Sequence, residues 1–158
     1  MALDQYIADP AELRVQLQRA GLRVTRPRLA VLVNLTQHPH SDADTVFQRV
    51  RQELPTTSVQ AVYGVLGALT EAGLLRRIEP AGSSALYERR TGDNHHHLVC
   101  TACRRVYDVD CVTGEAPCLT PLSTHGFSVD KAEVTFWGIC LRCQTAQHAT
   151  QTTSTEGE

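Results

Sequence analysis

The stretch "SVQAVYGVLGALTEAGLLRRIEPAGSSALYERR", Ser58–Arg90, decides the fold. Ser58 is placed as a helix N-cap, Val59, Val62, Leu66 and Leu69 recur at helical spacing, and Gly73 stops the run. The pattern then alternates and turns at "PAGSS", which predicts a β-hairpin. Three helices are predicted upstream. Asp9–Gly21 has Asp9 as N-cap and Pro10 in the first turn. Thr25–Gln37 is apolar nearly all round, hence buried, with Thr25 as its cap. Ser41–Leu54 carries Val46, Phe47, Val50 and Leu54 on one face. Three helices, a capped fourth and a hairpin make a winged helix-turn-helix. The fourth helix is then the DNA-reading element and "PAGSS" the wing tip. Gly64 and Gly67 each cost that helix ~1 kcal/mol relative to Ala, and glycines on a helix face fit close approach to another surface.

Outward from this stretch, the 158 residues suffice for one ordinary domain or two small ones. No apolar run approaches the ~20 residues of a membrane span. The N-terminal "MALDQYIADPAELR" lacks a basic region followed by an apolar one, so a cytoplasmic location is expected. In that reducing compartment six cysteines point to metal or redox chemistry rather than a disulfide framework. The net charge of −2 hides an asymmetry: residues 1–90 carry 11 Lys+Arg against 9 Asp+Glu, and residues 91–158 carry 4 against 8. All six cysteines and five of the seven histidines lie in the second part. The expected organisation is a DNA-binding domain over 1–90, a zinc-stabilised metal-sensing domain over 91–144, and a flexible polar tail over 145–158. In the second domain "HHLVC" and "RVYDVD" are predicted strands flanking "TACR", and "FSVDKAEVTFWGIC" a long strand.

"DNHHHLVCTAC", Asp93–Cys103, concentrates the metal-binding residue types. Cys100-Thr-Ala-Cys103 and Cys140-Leu-Arg-Cys143 are both CxxC, and two such turns complete a four-sulfur tetrahedral zinc site. The 36 residues between the pairs exceed common ribbon spacing, so the pairs must meet across a small sheet. Without zinc they would be two redox motifs, but the thioredoxin-like βαβ context is missing. Cys111 and Cys118 are left over, either as buried thiols or as a redox pair. His95 and His97 sit two apart on a predicted strand, so they face one side and His96 the other. They are either a surface histidine run or two ligands of a second ion. His40, Glu88 and Asp108 are then candidate partners, and mixed N/O donors suit Fe(II), Mn(II) or Zn(II). His38, His125 and His148 are expected to be structural or exposed.

From Leu13 to Cys143 the chain resembles the ferric uptake regulator (Fur) family. The resemblance is carried by "GLRVTRPR", "HSDADTVF", "TSVQAVYGVLGALTEAGLL", "LYE", "HHHLVCTAC" and "WGICLRC". "GDNHHH", "DVDC" and "APCLT" are similar to the actinobacterial branch associated with catalase-peroxidase genes. The resemblance implies an α+β protein, an N-terminal winged helix followed by a small α/β dimerisation domain, acting as a homodimer on palindromic operator DNA. It implies structural Zn2+ on Cys100, Cys103, Cys140 and Cys143. It places His40, Glu88, His95, His97 and Asp108 at a regulatory metal, Fe2+ or Mn2+. Asp108 resembles the peroxide-sensing branch, where the iron-sensing branch has Glu, and His40 and His95 would then be oxidation targets. Two departures are Ala61 and Gly64, in "SVQAVYG" against the family's "SxxTVYR". Ala132 stands where a third metal site would need histidine, which leaves His96 as a weak ligand there.

The expected function is a metal-dependent repressor, derepressed by peroxide or metal loss, and not an enzyme. Gln60 and Tyr63 are the candidate base contacts, Ser58 a cap first and a contact second. Arg23, Arg26 and Arg28 are candidates for phosphate, with Arg76 and Arg77 near the wing. The alternatives are a zinc- or nickel-responsive uptake repressor and a thiol-based redox repressor using Cys111 and Cys118. A metal hydrolase lacks any HExxH or similar arrangement.

Overall fold

In a computed structural model the chain divides into two compact units, residues 1–93 and 94–158. The structure describes residues 9–80, 82–89, 91, 95–110, 123, 125–128 and 134–152. No helix among them is long and apolar enough to cross a membrane.

The first unit runs α1 (Pro10–Arg19), α2 (Arg26–Gln37), β1 (Ser41–Asp42), α3 (Ala43–Glu53), α4 (Val59–Glu71), β2 (Arg76–Ile78) and β3 (Leu86–Glu88). Its helix starts follow local chemistry. Asp9 accepts from Ala11 N–H, Asp42 from Thr45 N–H and Ser58 from Ala61 N–H, each replacing a hydrogen bond the first turn lacks. Thr25 is the exception. It holds the N-cap position of α2, but its hydroxyl makes no capping bond, and only its carbonyl is used, by Leu29 N–H. The third helix begins two residues later than predicted, because Ser41 and Asp42 pair with β3.

Leu13 and Leu17 from α1, Val31, Leu32 and Leu35 from α2, Val46 and Val50 from α3, and Val62, Leu66 and Leu69 from α4 form one buried cluster. Each such side chain contributes ~1.5–3 kcal/mol of transfer free energy. β1, β3 and β2 form an antiparallel sheet in that order, and β2–β3 is the predicted hairpin. This is the winged helix expected from Ser58–Arg90.

The second unit comprises β4 (His95–Cys100), β5 (Val106–Asp110), β6 (Thr135–Gly138) and α5 (Leu141–Thr152). β5 pairs antiparallel and β6 parallel with the central β4. A parallel pair needs a crossover connection, here the chain between β5 and β6. Most of that connection, with Cys111, Cys118 and Ala132, lies outside the described residues.

Two expectations differ. The long strand of "FSVDKAEVTFWGIC" is a strand only at Thr135–Gly138 among the described residues; Phe127 and Ser128 are not in one, and Cys140 turns away into the cysteine cluster. The tail expected from residue 145 is helical to Thr152. Gln144 N–H bonds Cys140 C=O, so the helix starts on the cysteine turn, and it carries no apolar stripe for sequence periodicity to reveal.

Candidate functional site

The cysteines converge as their spacing predicts. β4 ends on Cys100, and the chain reverses through Arg104, whose φ of 61° is left-handed. Arg104 N–H returns to Cys100 C=O, and Cys100 N–H bonds Arg105 C=O. The backbone N–H groups of Cys103 and Cys140 point at Cys100 Sγ at 3.5 and 3.3 Å. Those donors, Cys140's first, hold the Cys100 thiol down at about 6. Cys143 is pushed up to about 12, chiefly because its thiol proton is held by Cys140. All four sulfurs lie within 4.8 Å of one another, and Cys103 Sγ and Cys140 Sγ are 3.8 Å apart. Tetrahedral zinc with Zn–S of ~2.3 Å places sulfurs about 3.8 Å apart, so the donor set fits zinc.

The three histidines of β4 are all buried, at 3%, 8% and 6% exposure. Strand alternation separates them as expected. His95 and His97 share a face, with ring centroids 4.9 Å apart, while His96 packs edge-on against Phe136. Register places His97 opposite Asp108 on β5. His95 Nε2 and His97 Nε2 approach the same Asp108 oxygen, at 3.8 and 3.7 Å. Two imidazoles and a carboxylate oxygen facing one point suit a borderline divalent cation.

The first unit contains a second histidine–carboxylate pair. The β1–β3 register sets Ser41 opposite Tyr87, which brings the preceding His40 to Glu88. His40 adopts a φ of 56°, and its Nε2 lies 2.8 Å from Glu88 Oε2. Glu88 is completely buried. Its other oxygen, Oε1, faces Arg76 Nη1 at 3.8 Å.

The DNA-contact candidates divide. Gln60 and Tyr63 are exposed on α4, Tyr63 at 50%. The Asp44 carboxylate, the largest influence on the Tyr63 phenol, holds its pKa above the usual value. Ser58 serves its cap. Gly64 and Gly67 border open space, where an added Cβ would meet no atom within 4 Å. Arg23 and Arg26 are exposed, while Arg28 donates to Arg23 C=O at 2.7 Å. On β2 the two arginines face opposite ways: Arg77 is exposed and paired with Glu79, whereas the Arg76 side chain is 14% exposed.

Two residues went unread in the sequence. Arg89 donates to Thr36 of α2 and to Gln16 of α1, tying both helices to the end of β3. Asp44 sits beside Tyr63 across two helices. Neither has a local signal, since each partner is distant in sequence. Arg76 was legible in principle, because adjacent strand residues must face opposite sides.

A winged helix, a four-sulfur cluster and buried histidine–carboxylate pairs on one chain define a class, the metal-responsive DNA-binding regulators. The sequence profile of the ferric uptake regulator family matches residues 19–137, and the chain belongs to that family. It is 58% identical over 137 residues to Transcriptional regulator FurA of Mycobacterium tuberculosis, covering 87% of this chain and 91% of that one. The peroxide-responsive repressor PerR of Staphylococcus aureus is 29% identical over 131 residues, covering 81% and 86%. Among solved structures, the Campylobacter jejuni peroxide stress regulator superposes with a TM-score of 0.60 at 26% identity, covering 90% of this chain and all of that one. The chain is a transcriptional regulator and not an enzyme.

Proposed function

We propose that the protein is a homodimeric, cytoplasmic repressor of oxidative-stress genes such as a catalase-peroxidase. It binds operator DNA when a regulatory Fe(II) or Mn(II) is held and releases it when peroxide oxidises a ligand or the metal is lost. The observation that carries this reading is that, among the described residues, each unit offers a partial ligand set. His40–Glu88 supplies two donors at 2.8 Å, and His95, His97 and Asp108 supply three around one carboxylate oxygen. Neither set fills the shell of a first-row divalent ion. One ion taking both would join the winged helix to the second unit and favour the DNA-competent arrangement by its differential affinity, a population shift.

Cys100, Cys103, Cys140 and Cys143 hold structural zinc. α4 enters the major groove with Gln60 and Tyr63 toward the bases, and Ser58 beside them. Arg23, Arg26, Arg28 and Arg77 meet phosphate. Arg76 is left out of the phosphate set because it is paired with Glu88. The second copy covers the exposed row Leu98, Tyr107 and Phe136, 43–46% exposed and mutually aligned across the three strands. The peroxide reading draws on Asp108 and on the relative named a peroxide-responsive repressor. Bound Fe(II) supplies the reaction with peroxide by which His40 or His95 gains oxygen and stops ligating.

The test loads zinc-replete protein anaerobically with Fe(II) or Mn(II) and measures binding to the DNA upstream of its own coding sequence, before and after a small excess of peroxide. Mass spectrometry then maps added oxygen. Loss of binding only in the Fe(II) form, with oxygen on the His40 or His95 peptide, is the expected result. Loss in both forms with a Cys111–Cys118 disulfide would move the sensor to the thiols. No loss in either form would leave a sensor of metal alone.

A further inference from the structure

Arg76 and Glu88 are direct cross-strand partners on β2 and β3. Glu88 is completely buried, and each of its oxygens has a basic neighbour. Oε2 lies at hydrogen-bond distance from His40 Nε2, 2.8 Å. Oε1 faces the Arg76 guanidinium at 3.8 Å, inside ion-pair range but beyond a hydrogen bond. A buried carboxylate is costly without a counter-charge, and Arg76 supplies one that cannot be removed by deprotonation. We propose that Arg76 sets the strength of the regulatory metal site, holding Glu88 in place before metal arrives and opposing the divalent cation once it binds through Glu88. The inference rests on the reading of Glu88 as a ligand of that metal.

The electrostatic sign is fixed. Before metal binds, the Arg76 guanidinium offsets charge on the Glu88 carboxylate. After binding, a dication and a guanidinium share the same carboxylate, and like charges this close repel strongly in a low-dielectric interior. The ion-paired oxygen also gives a carboxylate whose negative charge is partly spent on Arg76. Both effects weaken the site, which suits a sensor that must release its ion as supply falls. Arg77, the neighbour on the outward face, is paired with Glu79 and cannot substitute.

The experiment titrates Mn(II) into full-length, zinc-replete protein against a fluorescent chelator, for wild type, Arg76→Gln, Arg76→Met and Arg76→Lys. The Gln and Met variants are expected to bind Mn(II) about tenfold more tightly, and Lys to stay near wild type because it keeps the charge. Co(II) spectra of all four should coincide, which reports an unchanged ligand set. Equal or weaker Mn(II) binding in both neutral variants overturns the proposal, and so does an altered Co(II) spectrum, because a different ligand set would then explain the affinity. Using Gln and Met together guards against one variant failing to fold. Glu88→Gln separates the two readings. If wild type and Glu88→Gln bind Mn(II) equally, the reading of Glu88 as a ligand fails and this inference with it. If Glu88→Gln loses binding while Arg76→Gln matches wild type, only the role of Arg76 fails.

Discussion

The first unit buries leucines and valines from four helices in one continuous cluster. The second buries three histidines and Cys100 beside Val99 and Val106, among its described residues. Apolar burial therefore accounts for the winged helix, as it does for most domains. It does not account for a sheet of three short strands whose interior is largely metal-binding side chains. In the first unit ligands are added to a finished core. In the second the ligands take much of the core's place, and the metal becomes part of the folding energy.

The largest effect expected from this contrast is on the cysteines. Cys140→Ser should abolish zinc binding and unfold β4, β5 and β6, while hydrogen exchange still protects α1–α4, since structural zinc contributes ~10–16 kcal/mol in small domains. Retained strand protection without zinc would break the comparison. Acid should act in the same direction. The Cys100 thiol is held down at about 6, so its contribution is complete only above its ordinary value, declines as pH falls and is gone below about pH 6. Acid should release zinc, followed with a chromogenic chelator, because protons compete with the metal for the four thiolates.

A smaller effect is expected in the apolar cluster. Leu66→Ala should destabilise the first unit by ~2–5 kcal/mol in denaturant titration and leave zinc content unchanged. A loss of zinc in that variant would mean that the two units do not fold by separate means. Smallest of all are the helix caps. Ser58→Ala should cost ~1 kcal/mol, because the hydroxyl bonds Ala61 N–H at 3.2 Å. Thr25→Ala should cost less, because the Thr25 hydroxyl makes no such bond. Equal losses would show that position, rather than the bond, carries the capping energy.

What the sequence revealed follows the same division. Helical periodicity, Asp9 and Ser58 marked the four-helix unit, because an apolar core imposes a regular spacing. The CxxC pairs and the His95/His97 alternation were legible because ligand geometry also fixes spacing. α5 was hidden because it has no apolar face to leave a period. Arg89 with Gln16 and Thr36, and Asp44 with Tyr63, were hidden because polar contacts between distant residues leave no local pattern. The third helix was misplaced at its start because the β1–β3 pairing of Ser41 is a tertiary event.

β4 carries His95 and His97 at one end and Cys100 at the other, and a strand rises ~3.3 Å per residue. The two proposed metals therefore hold opposite ends of one rigid rod. Loss of zinc would remove the cross-link at the Cys100 end of the strand whose other end presents His95 and His97. If the proposed function holds, repression would need both ions, and zinc starvation would relieve it as loss of the regulatory metal does.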